Sequence, residues 1–268
     1  MGGPGSSTAM EEDVREEMEV LRTRLAAAAE DALLALPSPS LLGSRLSAIA
    51  APARPFVLEP RALFVAWSGV LTLAYAGWPP QATALKARVE ESLGGCLAAE
   101  QQGSKWPKTT LGALRDGRTL DLGELERLFA VLDGFTEQIR GSGWRADAQE
   151  LSLTFFKCTG HERLFDQQAL PLSGGGLDES PPDEPARAHS EQVLAAASDL
   201  AAYLPDVQHA GGHEGKYRDL RPGASLVVFA RPPAEWLEGL QAAVDEALPG
   251  AYAWLDPGSL HCTLRGLL

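Results

Sequence analysis

The chain has 268 residues, 45% of them hydrophobic, and carries a formal charge of −13 with a sequence pI near 4.8. This hydrophobic share suffices for a core in one large or two small domains and excludes disorder of the whole chain. The negative charge opposes a general attraction to long nucleic acid or to an anionic membrane, but it leaves room for a local basic cleft.

The cysteines and the lack of a long apolar run bear on the compartment. Cys96, Cys158 and Cys262 are odd in number and scattered, without the paired spacing of a zinc site or disulfide framework. No apolar run reaches the length of a membrane span, and acidic residues from Glu11 argue against a presequence. We expect an intracellular, cytoplasmic protein without a transmembrane segment. The start "MGGPGSS" fits an acylation pattern at Gly2 and fits a glycine-rich tail equally.

The first 52 residues read as a tail and a helix. Apolar residues recur at spacings of three and four from Met10 to about Leu36, which predicts a packing helix or, as the alternative, a short coiled-coil dimer. Pro37 and Pro39 are expected to end this helix. A protein partner through this helix is an open alternative.

Residues 53–268 alternate strand-like and helix-like segments, which predicts an α+β domain. The strands are expected at "ALFVAWSGVLTLAYAG", "KTTLGAL" and "ELSLTFFKC". The helices are expected at "ATALKARVEESLGG", "LGELERLFAVLDGFTEQI" and "SEQVLAAASDLAAYL". Between them, residues at about 171–190 are rich in Gly, Pro, Ser and acidic side chains, which predicts a flexible acidic insertion or, alternatively, a docking segment for a protein partner.

Two stretches of the domain share one order of elements. Each has a strand closed by Pro-Pro, an amphipathic helix, a loop and a short strand, and "KTTLGAL" aligns with "HCTLRGL". Pro80 precedes Lys108 by 28 positions, and Pro233 precedes His261 by the same 28. We interpret this as an internal duplication about a pseudo-twofold axis. Because alternate residues of a strand share a face, the copies would present Lys108 and Thr110 opposite His261 and Thr263 across one cleft.

This order, with the "SLVVFARPP" strand, its helix and the His-x-Thr strand "LHCTLRGL", resembles the 2H phosphoesterase superfamily, including LigT-like RNA 2',3'-cyclic phosphodiesterases. The resemblance covers about Phe64 to Leu268 outside the insertion and implies a bilobed, duplicated fold with a central cleft, preceded here by the N-terminal helix. Family members usually continue with strands beyond the second motif, and we expect the upstream "ALFVAWSG" strand to take their place.

The resemblance also implies a reaction and its residues. It implies hydrolysis of a cyclic phosphate on a small nucleotide or RNA end, without metal or cofactor, with His261 moving a proton and Thr263 and Thr110 holding the phosphate. The first motif carries Lys108 where the family has histidine, so Lys108 either donates the proton, supports a slow reaction or only binds a phosphorylated ligand. A scaffold function through the N-terminal helix and insertion is the third hypothesis.

Other aromatic and histidine side chains have weaker patterns. Trp106 and Trp254 precede the two motifs and are expected to pack in the core or rim, with base stacking as the alternative. His161 and His213 lie in turn-like stretches beside glycines, where exposed histidines are common. Of these, His213 is the candidate to replace the missing motif histidine if its loop folds over the cleft.

Overall fold

A computed structural model describes residues 39–93, 97, 100 and 104–267. The predicted Met10–Leu36 helix and the Gly2 pattern lie outside this range. The fold is α+β, with antiparallel strands and packed helices, as predicted. The helices are α1 (Pro39–Ala50), α2 (Pro80–Leu93), α3 (Leu122–Gly141), α4 (Glu184–Ala195), α5 (Leu200–Val207), α6 (Glu214–Arg218) and α7 (Ala234–Ala247). The strands are β1 (Phe56–Leu58), β2 (Pro60–Ala66), β3 (Val70–Tyr75), β4 (Lys108–Leu114), β5 (Ala146–Ala148), β6 (Glu150–Phe156), β7 (Leu164–Pro171), β8 (Gly223–Phe229), β9 (Tyr252–Trp254) and β10 (His261–Gly266).

The main sheet is open, and its strands are antiparallel. Its order is β2-β3-β4-β10-β8-β6-β7, with the short strand β9 also paired to β4. A separate small sheet joins β1 and β5. Strands β4 and β10, which carry the two predicted motifs, are therefore neighbours at the centre of the main sheet.

The two faces of the central strands differ in chemistry. Thr109 and Leu111 of β4 are fully buried, and Cys262 and Leu264 of β10 join them in the core beneath helices α2, α3 and α7. The Thr109 hydroxyl is satisfied there by a hydrogen bond of 2.9 Å to the Tyr75 hydroxyl. The residues that alternate with them at the starts of these strands, Lys108, Thr110, His261 and Thr263, are only half-buried. This alternation leaves one face of the central pair polar and accessible while the other seals the core.

Two boundaries differ from the sequence prediction. The segment predicted as one strand is the hairpin β2–β3, because Ser68 and Gly69 turn the chain with positive φ angles of 60° and 72°. Helix α1 begins at Pro39, since a proline at the first helical position sacrifices no internal hydrogen bond, while the predicted end of the Met10–Leu36 helix lies outside the described residues. Helix α1 buries Leu42 and Leu46 in the main core, so the core begins before the predicted boundary at residue 53.

Residues 171–190, predicted as a flexible insertion, have defined contacts. The amide of Gly174 donates to the carbonyl of Ala53 at 2.8 Å, and that of Asp178 donates to the carbonyl of Pro55 at 2.8 Å. Helix α4 begins at Glu184, six positions before the predicted start at Ser190, because the Asp183 carboxylate caps its first turn. Composition alone misses these contacts because many of them are made by backbone groups, while Leu172 joins the core.

The strands that flank the centre also differ from the expectation. Strand β2, which contains most of "ALFVAWSG", lies beside β3 in the half that carries Lys108. The half that carries His261 is extended instead by β6 and β7, which precede β8 in the chain. Among the described residues, no helix is long and apolar enough to cross a membrane.

Candidate functional site

The centre of the candidate site is the pairing of β4 with β10. Thr109 lies directly opposite Cys262 in this antiparallel pair. The residues on either side of these two, Lys108 and Thr110 on β4 and His261 and Thr263 on β10, therefore share the opposite, half-buried face of the sheet. The structure thus brings all four sequence-predicted site residues onto one face of two adjacent strands.

Lys108 lies at the start of β4 in a partly shielded environment. Its Nζ lies 4.3 Å from the ring centroid of Trp106, which is buried beside it. The pKa of Lys108 is lowered to about 8, mainly by burial; Cys262 opposes this shift, and the positive charges of Lys216 and Lys86 contribute to it. An ammonium with this pKa is mostly protonated at neutral pH yet close to titration, so it can both attract an anion and release a proton.

His261 lies at the start of β10 with one ring nitrogen held. Its Nδ1 is 2.8 Å from the carbonyl oxygen of Ser259. Burial lowers the pKa of His261 to about 4, although the hydrogen bond to Ser259 opposes this shift. The imidazole is therefore neutral at pH 7. The described residues provide no hydrogen-bond partner for Nε2, so this nitrogen is available to accept a proton.

His161, to which the sequence analysis gave no role, lies directly against His261. The two Nδ1 atoms are 2.9 Å apart, and the ring centroids are 3.7 Å apart. His161 is only 4% exposed, and burial, together with the neighbouring His261, lowers its pKa to about 2. Its backbone has a positive φ of 56°, a conformation that is uncommon for residues other than glycine. The sequence gives no spacing signal for this contact, because the two residues are 100 positions apart.

The other ring nitrogen of His161 belongs to a buried network of hydrogen bonds. Nε2 is 3.2 Å from the hydroxyl of Ser225 on β8. That hydroxyl is 3.1 Å from the hydroxyl of Thr154 on β6, which also donates to the carbonyl of Ser225 at 3.1 Å. Strand pairing places Thr154 opposite Ser225. A connected row of polar groups therefore leads from His261 across two strands to a backbone carbonyl.

The segment predicted as the loop "HAGGHEGKYRDLRPG" folds across this face and contains helix α6. Tyr217 shares a hydrogen bond with Thr110, which opposes the burial that raises the pKa of Tyr217 to about 12. The neighbouring Lys216 is exposed and lies close enough to affect the pKa of Lys108. The segment is tied to the His161 turn, because the amide of Gly160 donates to the carbonyl of Tyr217 at 3.0 Å. Neither Lys216 nor Tyr217 was predicted as a site residue from the sequence.

His213 belongs to the same segment and immediately precedes helix α6. Its Nε2 is buried and has no hydrogen-bond partner among the described residues. Trp106 is buried, as expected, and covers Lys108. Trp254 is half-buried on β9 and packs against Tyr252, with ring centroids 5.9 Å apart.

No protein-family model, curated protein or solved structure matches the chain. Within the described part of the chain, no group of three or more His, Cys, Asp or Glu side chains is arranged to hold a metal ion. The site offers a neutral imidazole, a lysine with a pKa of about 8 and two threonine hydroxyls on one face.

Proposed function

We propose that this protein hydrolyses a 2',3'-cyclic phosphate on a small nucleotide or RNA end, in the manner of a 2H phosphoesterase. The observation that carries the proposal is the placement of Lys108, Thr110, His261 and Thr263 on one face of the paired strands β4 and β10. Such a face offers a cation and two hydroxyl donors to a phosphate, beside one base.

A duplicated architecture is part of this proposal, and the positions of the elements support it. A constant offset of 153 residues relates Lys108 to His261 and also relates the start of β3 at Val70 to the start of β8 at Gly223. The intervening helices follow the same offset within one residue. Thr109 and Cys262 are equivalent under this offset, and they are the residues that pair. A pseudo-twofold axis through that pair accounts for all three relations.

The two motif residues take different roles in the proposed reaction. A water molecule gives a proton to Nε2 of His261 while its oxygen forms a bond to phosphorus. The bond from phosphorus to one ribose oxygen breaks, and that oxygen takes a proton from the Lys108 ammonium. The product is a phosphate monoester beside a free ribose hydroxyl. His261 then loses its proton to solvent, and Lys108 regains one.

The cations at the site suit a small or terminal phosphate better than a long strand. Lys108 and Lys216 add positive charge at the centre of this face, whereas the whole chain carries a charge of −13. A long polyanion would meet the negative remainder of the surface, but a mononucleotide or a strand end would not.

The alternative is a protein of the same fold that binds a phosphorylated ligand without turnover. The observation that favours it is Lys108 itself, whose ammonium lies over the Trp106 ring in place of a second imidazole. Loss of one general acid or base typically lowers a rate by roughly 10²- to 10⁴-fold. In this alternative, Lys108 contributes charge to binding and the reaction does not proceed.

The test is hydrolysis of 2',3'-cyclic nucleotides and of oligoribonucleotides ending in cyclic phosphate, with and without a chelator. The variants are His261→Ala and Lys108→Ala, and the matched control is His209→Ala, which changes an exposed histidine. We expect turnover that falls at least about 100-fold in both site variants and is unchanged in the control. The pKa values of about 4 for His261 and about 8 for Lys108 predict the highest rate between these two pH values.

Binding measurements separate the hypotheses when turnover is absent. Ligand binding that disappears in Lys108→Ala, without hydrolysis by the unaltered protein, would favour the binding alternative. Absence of both binding and hydrolysis would leave the scaffold hypothesis.

A further inference from the structure

We propose that His161 is the positioning residue of the site: it holds His261 in the tautomer and orientation that turn Nε2 toward the phosphate. The inference rests on the proposed function for its catalytic meaning. The arrangement of the two rings, however, can be tested without any substrate.

The hydrogen positions of the pair follow from their partners. The carbonyl of Ser259 can only accept, so the neutral His261 ring carries its proton on Nδ1, 2.8 Å away. Nδ1 of His161 is 2.9 Å from the same nitrogen. If Nδ1 of His161 also carried a proton, two N–H groups would point at each other, so Nδ1 of His161 is unprotonated and accepts from His261. Both constraints leave the lone pair of His261 on Nε2, where a general base needs it.

The tautomer of His161 is fixed in turn by the polar chain behind it. Because Nδ1 accepts, its proton lies on Nε2 and is donated to the Ser225 hydroxyl, 3.2 Å away. Thr154 donates to the carbonyl of Ser225, so the Ser225 hydroxyl donates to Thr154. Every hydrogen bond in this chain therefore has one assigned donor, and the chain ends at the backbone carbonyls of Ser259 and Ser225. A rigid support of this kind restricts ring rotation of His261.

The conformation of His161 indicates that the surrounding structure enforces this contact. The residue is 4% exposed and has a positive φ of 56°. The ring also contacts Phe156, with centroids 4.5 Å apart. A left-handed, buried histidine costs stability unless the contacts around it compensate, and such conformations cluster at functional sites. When His261 takes a proton from water, the acceptor on His161 stabilises the charged ring through Nδ1.

The experiment compares three variants with the unaltered protein. His161→Phe keeps an aromatic ring but removes the acceptor, whereas His161→Asn retains an acceptor near the position of Nδ1 and tolerates a positive φ. Ser225→Ala removes the support of Nε2 without changing the strained residue. The matched control is His209→Phe, at an exposed histidine. The readouts are the ¹⁵N chemical shifts of His261, which report its tautomer, and kcat and KM for a 2',3'-cyclic nucleotide.

We expect the unaltered protein to show the Nδ1–H tautomer of His261, because that proton has two acceptors, the Ser259 carbonyl and Nδ1 of His161. With one of the two acceptors removed, His161→Phe should show a mixture with the Nε2–H form. In the same variant, kcat should fall roughly 10- to 100-fold, the size of a hydrogen bond to a charged group, with KM little changed. His161→Asn should restore most of both readouts, and Ser225→Ala should shift both in the direction of the phenylalanine variant.

The outcomes distinguish this inference from the proposed function. Identical His261 shifts in the unaltered protein, His161→Phe and Ser225→Ala would overturn the positioning role, whatever the turnover. Shifts that change as expected in a protein without turnover would support the positioning of His261 and would count against the proposed hydrolysis.

Discussion

The paired histidines should make the stability of the protein depend on pH in a defined way. Burial lowers the pKa of His261 to about 4 and that of His161 to about 2, against an ordinary value of 6.5. Both rings are therefore neutral in the folded protein between pH 4 and 6.5, whereas the unfolded chain protonates them there. The unfolded state binds more protons in this window, so the free energy of unfolding falls as the pH is lowered.

The magnitude follows from the two pKa values. Once the pH is well below 6.5, each buried neutral histidine costs about 1.4 kcal/mol per pH unit. Integrated from pH 7 to pH 5, the loss is about 2 kcal/mol for each ring and about 4 kcal/mol for the pair. Since small domains are stable by about 5–15 kcal/mol, this loss is large enough to measure.

Urea unfolding of the unaltered protein, His161→Asn and His209→Asn at several pH values between 5 and 7 tests this reasoning. Asparagine does not titrate, so His161→Asn should lose about 2 kcal/mol less than the unaltered protein over this range. The control changes an exposed histidine and should retain the original dependence. Equal pH dependence in the unaltered protein and His161→Asn would refute the burial of a neutral His161.

Three further predictions concern other parts of the structure. Lys108→Met should raise the free energy of unfolding by about 1–3 kcal/mol at pH 7, because the pKa of Lys108 falls from 10.5 in the unfolded chain to about 8 in the fold, so its charge destabilises the folded state. Urea titrations should show that this gain disappears above pH 10.5, where the lysine is neutral in both states. Gly174→Ala, whose new Cβ would lie 2.0 Å from the Pro52 carbonyl oxygen, should cost about 1–3 kcal/mol by thermal unfolding, whereas Gly176→Ala, with open space, should be neutral. Tyr217→Phe removes the hydrogen bond to Thr110, which then is no longer held in place to bind the phosphate, so KM for a cyclic nucleotide should rise several-fold. An unchanged KM would show that Tyr217 does not position Thr110.

The sequence predicted the centre of the fold better than its periphery. The sequence predicted β4 and β10 as strands, and alternation within a strand assigned Lys108, Thr110, His261 and Thr263 to one face once the strands are neighbours. The structure pairs these strands through Thr109 and Cys262. The dipeptide Ser68-Gly69 is a turn signal, but the long apolar stretch around it favours one strand, and for this reason the hairpin was missed.

The supporting residues could not be predicted from spacing. His161 reaches His261 only because β6 and β8 are adjacent and the turn after β6 bends back over the sheet. Tyr217 reaches Thr110 because the segment around α6 packs on β4. Such contacts depend on tertiary topology, and no periodicity along the chain encodes them.

In the proposed reaction, the pairing of a lysine with a histidine assigns the acid and the base in a way that two equal imidazoles would not. Two identical bases on equivalent strands would need the substrate to decide which one holds the proton. Here, burial keeps His261 neutral by lowering its pKa to about 4, while the lowered pKa of about 8 leaves Lys108 protonated at pH 7. The base and acid are therefore assigned before any ligand binds. A reversed pH profile, with activity requiring deprotonation of a group near pH 8, would contradict this assignment and make Lys108 the base.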